Sequence, residues 1–403
     1  MNRAGRQRNR GAFRRPRTRH RTGLRSAHHW IAPRFDTARQ HGGERSVVIT
    51  LRIWLSSAGA ASAQVMRLLR ENPDQVDVTV YASNIDPGAV ALSVCDVAEL
   101  EPRHVSDEEY ARFALDFCRR HRIDVLIPPR RLTALAGRDM DFAAVGTAVM
   151  CSPRAAVTAL TSKVRTYEMA GAAGIPVPPW RVVSTAEAFR AAVAELSLTD
   201  DKLCIKPSGE YSAFGFRILD DGPLSMATLL APPLPVASVD AVAGALARAA
   251  EQGGPVPELL VMPYLDAPEI SIDCLSAPGG ELLIGIPRSK QGRFRMLLDN
   301  PAALDIAARL VKHFELAYLT NIQLRHRKGE PVLLEANPRP AAGLFQSAHA
   351  GVNLPWAAVR LLLQGDPGIR RPPRLDVRLA VAEAVMEVPS RARAELEPVL
   401  YSG

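Results

Sequence analysis

The sequence predicts an α/β protein of two or three domains, and three observations support that prediction. The chain has 403 residues, more than one hydrophobic core usually accommodates. Strand-like apolar runs alternate with amphipathic helices over residues 46–130, an order typical of a parallel, doubly wound sheet. Two later runs, 319–325 and 332–336, flank a short turn that ends in Gly329, and they predict an antiparallel hairpin.

Residues 46–155 are expected to form the first domain. Strands are predicted at 46–55, 76–82 and 123–128, with a helix through Arg70 and another over 107–122 between them. Ser106 is placed to cap the second helix, whose first turn is acidic. The loop after the first strand keeps one glycine of the three in a dinucleotide fingerprint, so it is weak evidence for a dinucleotide site.

Cysteine usage and hydropathy narrow the class of protein. The chain has five widely spaced cysteines without a C-x-x-C pattern: Cys95, Cys118, Cys151, Cys204 and Cys274. An odd, scattered set argues against a disulfide framework or a zinc site and favours a reducing compartment. No apolar run reaches the roughly 18 residues of a membrane-spanning helix. We therefore expect a cytoplasmic protein with no membrane partner.

Basic charge is concentrated in the first 45 residues. That segment has thirteen arginines against Asp36 and Glu44, whereas the whole chain carries a formal charge of +8, which leaves −3 for the remainder. Because the segment has few aliphatic residues and no periodicity, it is predicted to be a disordered Arg-rich tail. It is either a nucleic-acid-binding arm or an upstream extension that is not native, and we favour the second interpretation.

The predicted hairpin carries the most informative side chains. Glu335 and Asn337 are two residues apart on a strand, so both point to one face, and Gln323 of the neighbouring strand can lie beside Glu335. Oxygen ligands of this kind suit a hard cation such as Mg²⁺. Arg339 follows at the mouth of the loop, where a guanidinium can meet carboxylate or phosphate oxygens. The alternative is an ordinary hairpin with a polar edge.

The segments "TNIQLR" and "VLLEANPRPAAG", with the upstream run "SK…Y…AGAAGIPVPP", resemble the ATP-grasp enzymes. They are most similar to carbamoyl-phosphate synthase large chains and related carboxylate–amine ligases. The resemblance implies a Rossmann-like N-terminal domain followed by an ATP-grasp fold of two α+β subdomains. The expected bounds are 46–155 for the first domain, 156–265 and 266–365 for the two subdomains, and 366–403 for a C-terminal extension.

The same resemblance implies residues that hold ATP. Lys163 and Lys206 correspond to the phosphate-binding lysines, in a chain with only six lysines, although each could be an ordinary surface lysine. The loop 208–215 corresponds to the flap over the triphosphate, with Gly209, Ser212 and Gly215 as its contacts. Glu210, Tyr211 and Phe214 depart from the usual small residues of this flap.

Two further segments receive roles from the resemblance. The segment 258–265 corresponds to the adenine hinge, with Tyr264 beside the base, the Met262 carbonyl accepting from the adenine amine and the Leu265 N–H donating to the ring. Glu269 corresponds to the ribose ligand, unless it belongs to a solvated strand face. Residues 286–293 read as a basic loop in which Arg288 and Lys290 bind a substrate carboxylate, or as a solvated loop.

The function implied is ATP-dependent ligation of a small-molecule carboxylate to an amine through an acyl phosphate. Lys206 and Arg339 would be its catalytic residues, and ATP and Mg²⁺, or Mn²⁺ in its place, its cofactors. One alternative is a bicarbonate- or carbamate-activating kinase or carboxylase-type subunit. The other is an Arg-tailed nucleic-acid-binding protein with a vestigial ATP fold. A homodimer is a further expectation.

Overall fold

The computed structural model describes residues 50–209, 214–223, 225–230 and 233–382. Four predictions lie wholly or partly outside these residues. They are the Arg-rich tail, the start of the first strand at 46–49, the flap residues Glu210, Tyr211 and Ser212, and the end of the C-terminal extension from residue 383 onward. In the part of the chain that is described, no helix is long and apolar enough to cross a membrane.

The N-terminal sheet is parallel and has five strands in the order β3-β2-β1-β4-β5. Its strands are β1 Thr50–Leu55, β2 Asp77–Asn84, β3 Val97–Leu100, β4 Val125–Ile127 and β5 Ala148–Val149. Its helices are α1 Ser62–Arg70, α2 Asp107–His121, α3 Leu132–Leu135, α4 Asp139–Ala144 and α5 Arg154–Leu160. Ile53 and Trp54 of β1 are buried in different cores, so the sheet is covered on both faces, as parallel sheets require.

The second sheet has the strand order β6-β10-β7-β8-β9 and is largely antiparallel. Its strands are β6 Arg181–Val183, β7 Leu203–Pro207, β8 Arg217–Leu219, β9 Val236–Ala237 and β10 Leu259–Pro263. The helices of this part are α6 Lys163–Ala172, α7 Ala186–Leu196, α8 Met226–Leu230 and α9 Val239–Glu251. Phe189 of α7 and Leu246 of α9 pack with the strands in one core.

The third sheet is antiparallel, with the order β15-β14-β11-β12-β13-β16. Its strands are β11 Asp266–Ala277, β12 Glu281–Gln291, β13 Phe294–Leu297, β14 Tyr318–Arg327, β15 Glu330–Asn337 and β16 Val377–Ala380. The remaining helices are α10 Pro301–His313 and α11 Leu354–Gln364, and a 3₁₀ segment spans Leu344–Ala350. β16, from the predicted C-terminal extension, adds to the sheet edge beside β13.

One hydrophobic core joins the first and third sheets. Ile53 of β1 and Met66 of α1 belong to the same cluster as Ile286 of β12 and Trp356 of α11. Asp74 accepts hydrogen bonds from Trp356 Nε1 at 2.7 Å and from Arg360 Nη1 at 2.8 Å. The N-terminal domain therefore packs on α11 through α1 and the loop at Asp74, instead of standing as a separate globule.

The structure confirms the α/β class and corrects the prediction for several elements. Ser106 caps α2 through a capping box with Glu109, as its sequence position predicted. The short strands β3 and β5 were missed, because four and two residues carry too little periodicity. The prediction of a basic loop over residues 286–293 is wrong. Residues up to Gln291 continue β12, which pairs with β11 and β13.

Candidate active site

A cleft of about 580 Å³ lies where the three sheets meet, and most of the predicted site residues line it. The N-terminal sheet contributes the segments after β1 and β4, including Ser57 and Arg130. The second sheet contributes Lys206 and the end of β10. The third contributes one face of the β14–β15 hairpin. Ligands of doubly wound sheets bind at the carboxyl ends of the strands, and β1 and β4 present those ends here.

The hairpin has the register that the proposed metal ligands need. Gln323 lies opposite Glu335, and Asn321 lies opposite Asn337, across an antiparallel pair. All four side chains line the cleft. Asn321 was missed from the sequence, although it stands two residues before Gln323 and so shares its face.

A β-bulge in the hairpin creates an acceptor for Lys206. Leu334 is the extra residue of β15 between the pairs Gln323–Glu335 and Leu324–Leu333. Its carbonyl accepts hydrogen bonds from the Tyr167 hydroxyl at 2.8 Å and from Lys206 Nζ at 3.4 Å. Lys206 Nζ also donates to the Tyr167 hydroxyl at 3.2 Å. Burial lowers the pKa of the Lys206 ammonium and raises that of the Tyr167 phenol.

Lys163 approaches the Glu335 carboxylate of the hairpin from helix α6. It is the first residue of α6, which Ser162 caps through a hydrogen bond from the Arg165 N–H. The Lys163 N–H donates to the Ser208 carbonyl at 3.1 Å, which ties this helix start to the end of β7. Its Nζ lies 3.9 Å from Glu335 Oε1. Lys163 therefore faces the Glu335 carboxylate, while Lys206 holds the neighbouring Leu334 carbonyl.

The described part of the predicted flap stands at the cleft rim. Phe214 and Phe216 line the cleft, and Phe214 is largely exposed. Gly215 has a φ of +69°, and a Cβ there would lie 2.6 Å from Pro207 Cγ, so only glycine fits. Gly209 is exposed and has open space around its Cα.

The register of β10 determines which backbone groups of the predicted hinge point into the cleft, and the result differs from the sequence prediction. Met262 pairs with Cys204, and the Tyr264 N–H donates to the Lys202 carbonyl in the same ladder. Alternate residues of an antiparallel strand turn their backbone groups to opposite sides. The Met262 carbonyl is therefore committed to β7, and the Pro263 carbonyl and Leu265 N–H point away from it. The Pro263 carbonyl, which also accepts from Cys204 Sγ at 3.7 Å, therefore shares a side with the Leu265 N–H, and the Met262 carbonyl does not.

Arg325 is a hinge residue that the sequence did not reveal. Its Nη1 donates to the Leu265 carbonyl at 3.0 Å, and its guanidinium lies 5.6 Å from the Tyr264 ring centroid. Lys202 Nζ lies 5.1 Å from the same ring. Arg325 follows Gln323 by two residues, so strand alternation was the available signal. Tyr264, Leu265, Arg325 and Glu269 all line the cleft.

The three residues predicted to bind substrate, Arg339, Arg288 and Lys290, lie in different places. Arg339 lines the cleft, and its Nη1 donates to the Pro340 carbonyl at 3.2 Å. Arg288 is buried, lies outside the cleft lining and is paired with Asp273 at 2.7 Å. Lys290 is exposed on β12 and also lies outside the lining. Of the three, only Arg339 lines the same cleft as the β14–β15 hairpin, which we call the metal hairpin after its proposed ligands.

At the other end of the cleft, Glu101 orders the loop after β1. This buried carboxylate accepts from the Ser57 N–H, from the Ser57 hydroxyl at 2.7 Å and from the Ser83 hydroxyl at 2.7 Å. Arg130, just after β4, is exposed at this end. Neither Glu101 nor Arg130 was predicted from the sequence to be functional.

Comparison with known proteins identifies two families along the chain. Residues 53–150 match the family described as PylC-like, N-terminal domain. Residues 255–385 match the family described as ATP-grasp in the biosynthetic pathway with Ter operon. No curated protein matches the chain.

Solved structures share the fold at low sequence identity. A biotin carboxylase from Campylobacter jejuni is 15% identical with a TM-score of 0.58, over 81% of this chain and 74% of that one. An N5-carboxyaminoimidazole synthetase from Staphylococcus aureus, complexed with ADP, is 11% identical with a TM-score of 0.57, over 82% of each chain. An L-amino acid ligase from Bacillus licheniformis is 14% identical with a TM-score of 0.53, over 78% and 74%.

These findings confirm the predicted class. Residues 255–385 match an ATP-grasp family and residues 53–150 a PylC-like N-terminal domain, in agreement with the predicted ATP-grasp fold behind a separate N-terminal domain, and the solved structures share the fold.

Proposed function

We propose that the protein is an ATP-dependent carboxylate–amine ligase that forms an acyl phosphate and releases ADP and phosphate. One observation carries this proposal: Lys163, Lys206 and the Gln323–Glu335 pair converge in the cleft that Arg339 also lines. A triphosphate needs cations and a metal at one point, and a carboxylate that attacks it needs a guanidinium beside them.

The nucleotide position follows from the hinge and the two lysines. The Pro263 carbonyl would accept from the adenine amine, and the Leu265 N–H would donate to the ring. Glu269 would bind the ribose hydroxyls. Lys163 and Lys206 would bind the phosphates, because both line the cleft together with Glu335 of the hairpin. The flap with Gly209 and Gly215 would cover the triphosphate.

The donor set fits Mg²⁺ when phosphates are present. Gln323, Glu335 and Asn337 supply neutral and anionic oxygens, which are the ligands that Mg²⁺ prefers. Among the described residues, no three His, Cys, Asp or Glu side chains form a metal cluster. When bound there, Mg²⁺ would offset the charge that develops on the phosphate oxygens.

Two balanced steps complete the proposed reaction. A carboxylate oxygen, oriented by Arg339, attacks the γ-phosphorus, and the bond from that phosphorus to the β–γ bridging oxygen breaks to release ADP. The amine nitrogen then attacks the acyl carbon, loses a proton, and expels phosphate as the amide forms. Positioning and charge stabilisation provide the rate enhancement, so no protein nucleophile is needed.

Bicarbonate is the alternative acid, since two of the fold relatives are a biotin carboxylase and an N5-carboxyaminoimidazole synthetase. A hydroxylamine trap separates the two functions. The protein is incubated with ATP, Mg²⁺ and a panel of organic acids, and acids that trigger ADP release are tested for a hydroxamate. An organic acid that yields a hydroxamate supports the ligase. ADP release that depends on bicarbonate alone, with no hydroxamate, contradicts it.

Glu335→Gln is the diagnostic variant for this assay. It removes the one formal charge among the three proposed metal ligands, and we expect ADP release to fall by about 10²-fold or more. Glu330→Gln is the matched control, because Glu330 is an exposed carboxylate on the same strand, outside the cleft lining. Equal ADP release by the two variants would remove Glu335 from the site.

A further inference from the structure

A buried polar cluster lies behind the wall of the cleft. It consists of Asp273, Arg288, Asn321, Gln346 and Ser347, and we call it the Asp273 cluster. The Asp273 carboxylate has no solvent exposure. It accepts from Arg288 Nε at 2.7 Å and Nη2 at 3.2 Å, from Asn321 Nδ2 at 3.1 Å and from the Ser347 hydroxyl at 2.5 Å. Every one of these contacts crosses between different segments of the chain.

Stability alone does not account for the cluster. Removing two opposite charges from water costs about as much as their attraction returns, and apolar residues of similar volume often serve as well. A bidentate guanidinium is, however, strongly directional, so it fixes the relative positions of the segments that it joins. The useful question is therefore which segments the cluster connects.

The cluster connects the central sheet to the segment that follows Arg339. Asp273, Arg288 and Asn321 lie on β11, β12 and β14, whereas Gln346 and Ser347 belong to the 3₁₀ segment after residue 343. Arg288 Nη1 donates to Gln346 Oε1 at 3.2 Å. The guanidinium also packs on the backbone at Gly343, where a Cβ would lie 2.7 Å from Nη1.

The cluster also fixes a side chain in the cleft wall. Asn321 Nδ2 donates to Asp273 and to the Ser271 hydroxyl at 3.0 Å, which sets the orientation of its amide. Asn321 Oδ1 is buried and has no hydrogen-bond partner within the described structure. Asn321 lies opposite Asn337, one of the proposed metal ligands.

We propose that the Asp273 cluster positions the loop 338–343, and with it Arg339, against the metal hairpin. Arg288 is then a positioning residue that acts through Gln346 and Gly343 and does not touch the substrate. The positional claim stands on the contacts alone. Its consequence for catalysis rests on the proposed function, in which Arg339 orients the reacting carboxylate.

Hydrogen–deuterium exchange of the full-length protein tests the positional claim without any substrate. The double variant Gln346→Leu/Ser347→Ala cuts the side-chain bonds from the 3₁₀ segment and leaves the Asp273–Arg288 pair in place. We expect peptides within 338–350 to exchange about tenfold faster, while amides of β14 and β15 keep their protection. Gln364→Leu, at an exposed glutamine of α11, is the control and should change neither region.

Two exchange results would overturn the proposal. Unchanged protection in 338–350 would show that the cluster does not hold the loop. Faster exchange throughout the protein would show that it contributes only general stability.

With an active acid in hand, the double variant should lower kcat about tenfold and leave the KM for ATP unchanged, because the lysines and the hinge are untouched. A lower kcat supports the proposal, and a changed KM for ATP alone contradicts it. Failure of the hydroxylamine trap would affect the proposed function and not the exchange result.

Discussion

Lys206 is the residue whose surroundings give the clearest pH dependence. Burial lowers the pKa of its ammonium, and the nearby Cys204 and Glu335 oppose that shift more weakly. The unliganded protein therefore holds part of Lys206 neutral at pH values below the ordinary lysine range. A bound triphosphate favours the charged form. We expect nucleotide binding to take up a proton, and affinity to fall as pH rises through the lowered pKa.

Calorimetry in two buffers of different ionisation enthalpy measures this proton uptake directly. Lys206→Arg is the matched variant, because arginine stays charged at every accessible pH. It should bind nucleotide with no proton uptake attributable to this site. If Lys206→Arg takes up as many protons as the unmodified protein, another group titrates and the assignment to Lys206 is wrong.

At the scale of the element, the β14–β15 hairpin should bind metal only together with nucleotide. Glu335 is the one carboxylate among the proposed ligands, and Lys163 Nζ lies 3.9 Å from it, so without nucleotide these ligands present little net negative charge to a cation. Phosphate oxygens would supply the missing ligands. We expect Mn²⁺, followed by electron paramagnetic resonance, to bind at least about tenfold more tightly when ADP is present.

A substitution in the neighbouring strand should remove that requirement. Gln323→Glu places a second carboxylate opposite Glu335, in the register that the hairpin already has. Mn²⁺ should then bind without nucleotide, because two carboxylates outweigh one lysine. Glu330→Gln, near the turn of the same hairpin, should leave Mn²⁺ binding as it was. Tight Mn²⁺ binding by the unmodified protein without nucleotide would contradict this account.

The β14–β15 hairpin also shows how much of the candidate site could be predicted from the sequence. Its pairing was predictable because side chains alternate with period two, which placed Gln323 beside Glu335. The bulge at Leu334 was not, because an extra residue leaves no mark in a pattern of apolar residues. Arg288 was misassigned for a related reason. Its partner Asp273 is fifteen residues away, and only the register of β11 with β12 brings the two together.

At the scale of the whole molecule, strand register and the packing of distant segments determined features that the composition of the sequence does not reveal. The Pro263 carbonyl, and not the Met262 carbonyl named from the sequence, shares a side with the Leu265 N–H, because a carbonyl's direction depends on strand register. The first domain likewise shares a core with a distant part of the chain, because α11, whose Trp356 lies 282 residues after Asp74, packs against α1.

The contact between Asp74 and α11 should therefore support the stability of the whole chain. Asp74→Ala leaves Trp356 Nε1 and the Arg360 guanidinium without this carboxylate in a partly buried site. We expect a loss of about 1–3 kcal/mol in the free energy of unfolding, measured by urea denaturation. Glu71→Ala is the control, since the Glu71–Arg67 pair is exposed on α1 and should cost about 0.5 kcal/mol or less. Equal effects would show that the N-terminal sheet does not depend on α11. A larger loss for Asp74→Ala, with a single transition retained, would show that the two parts unfold as one unit.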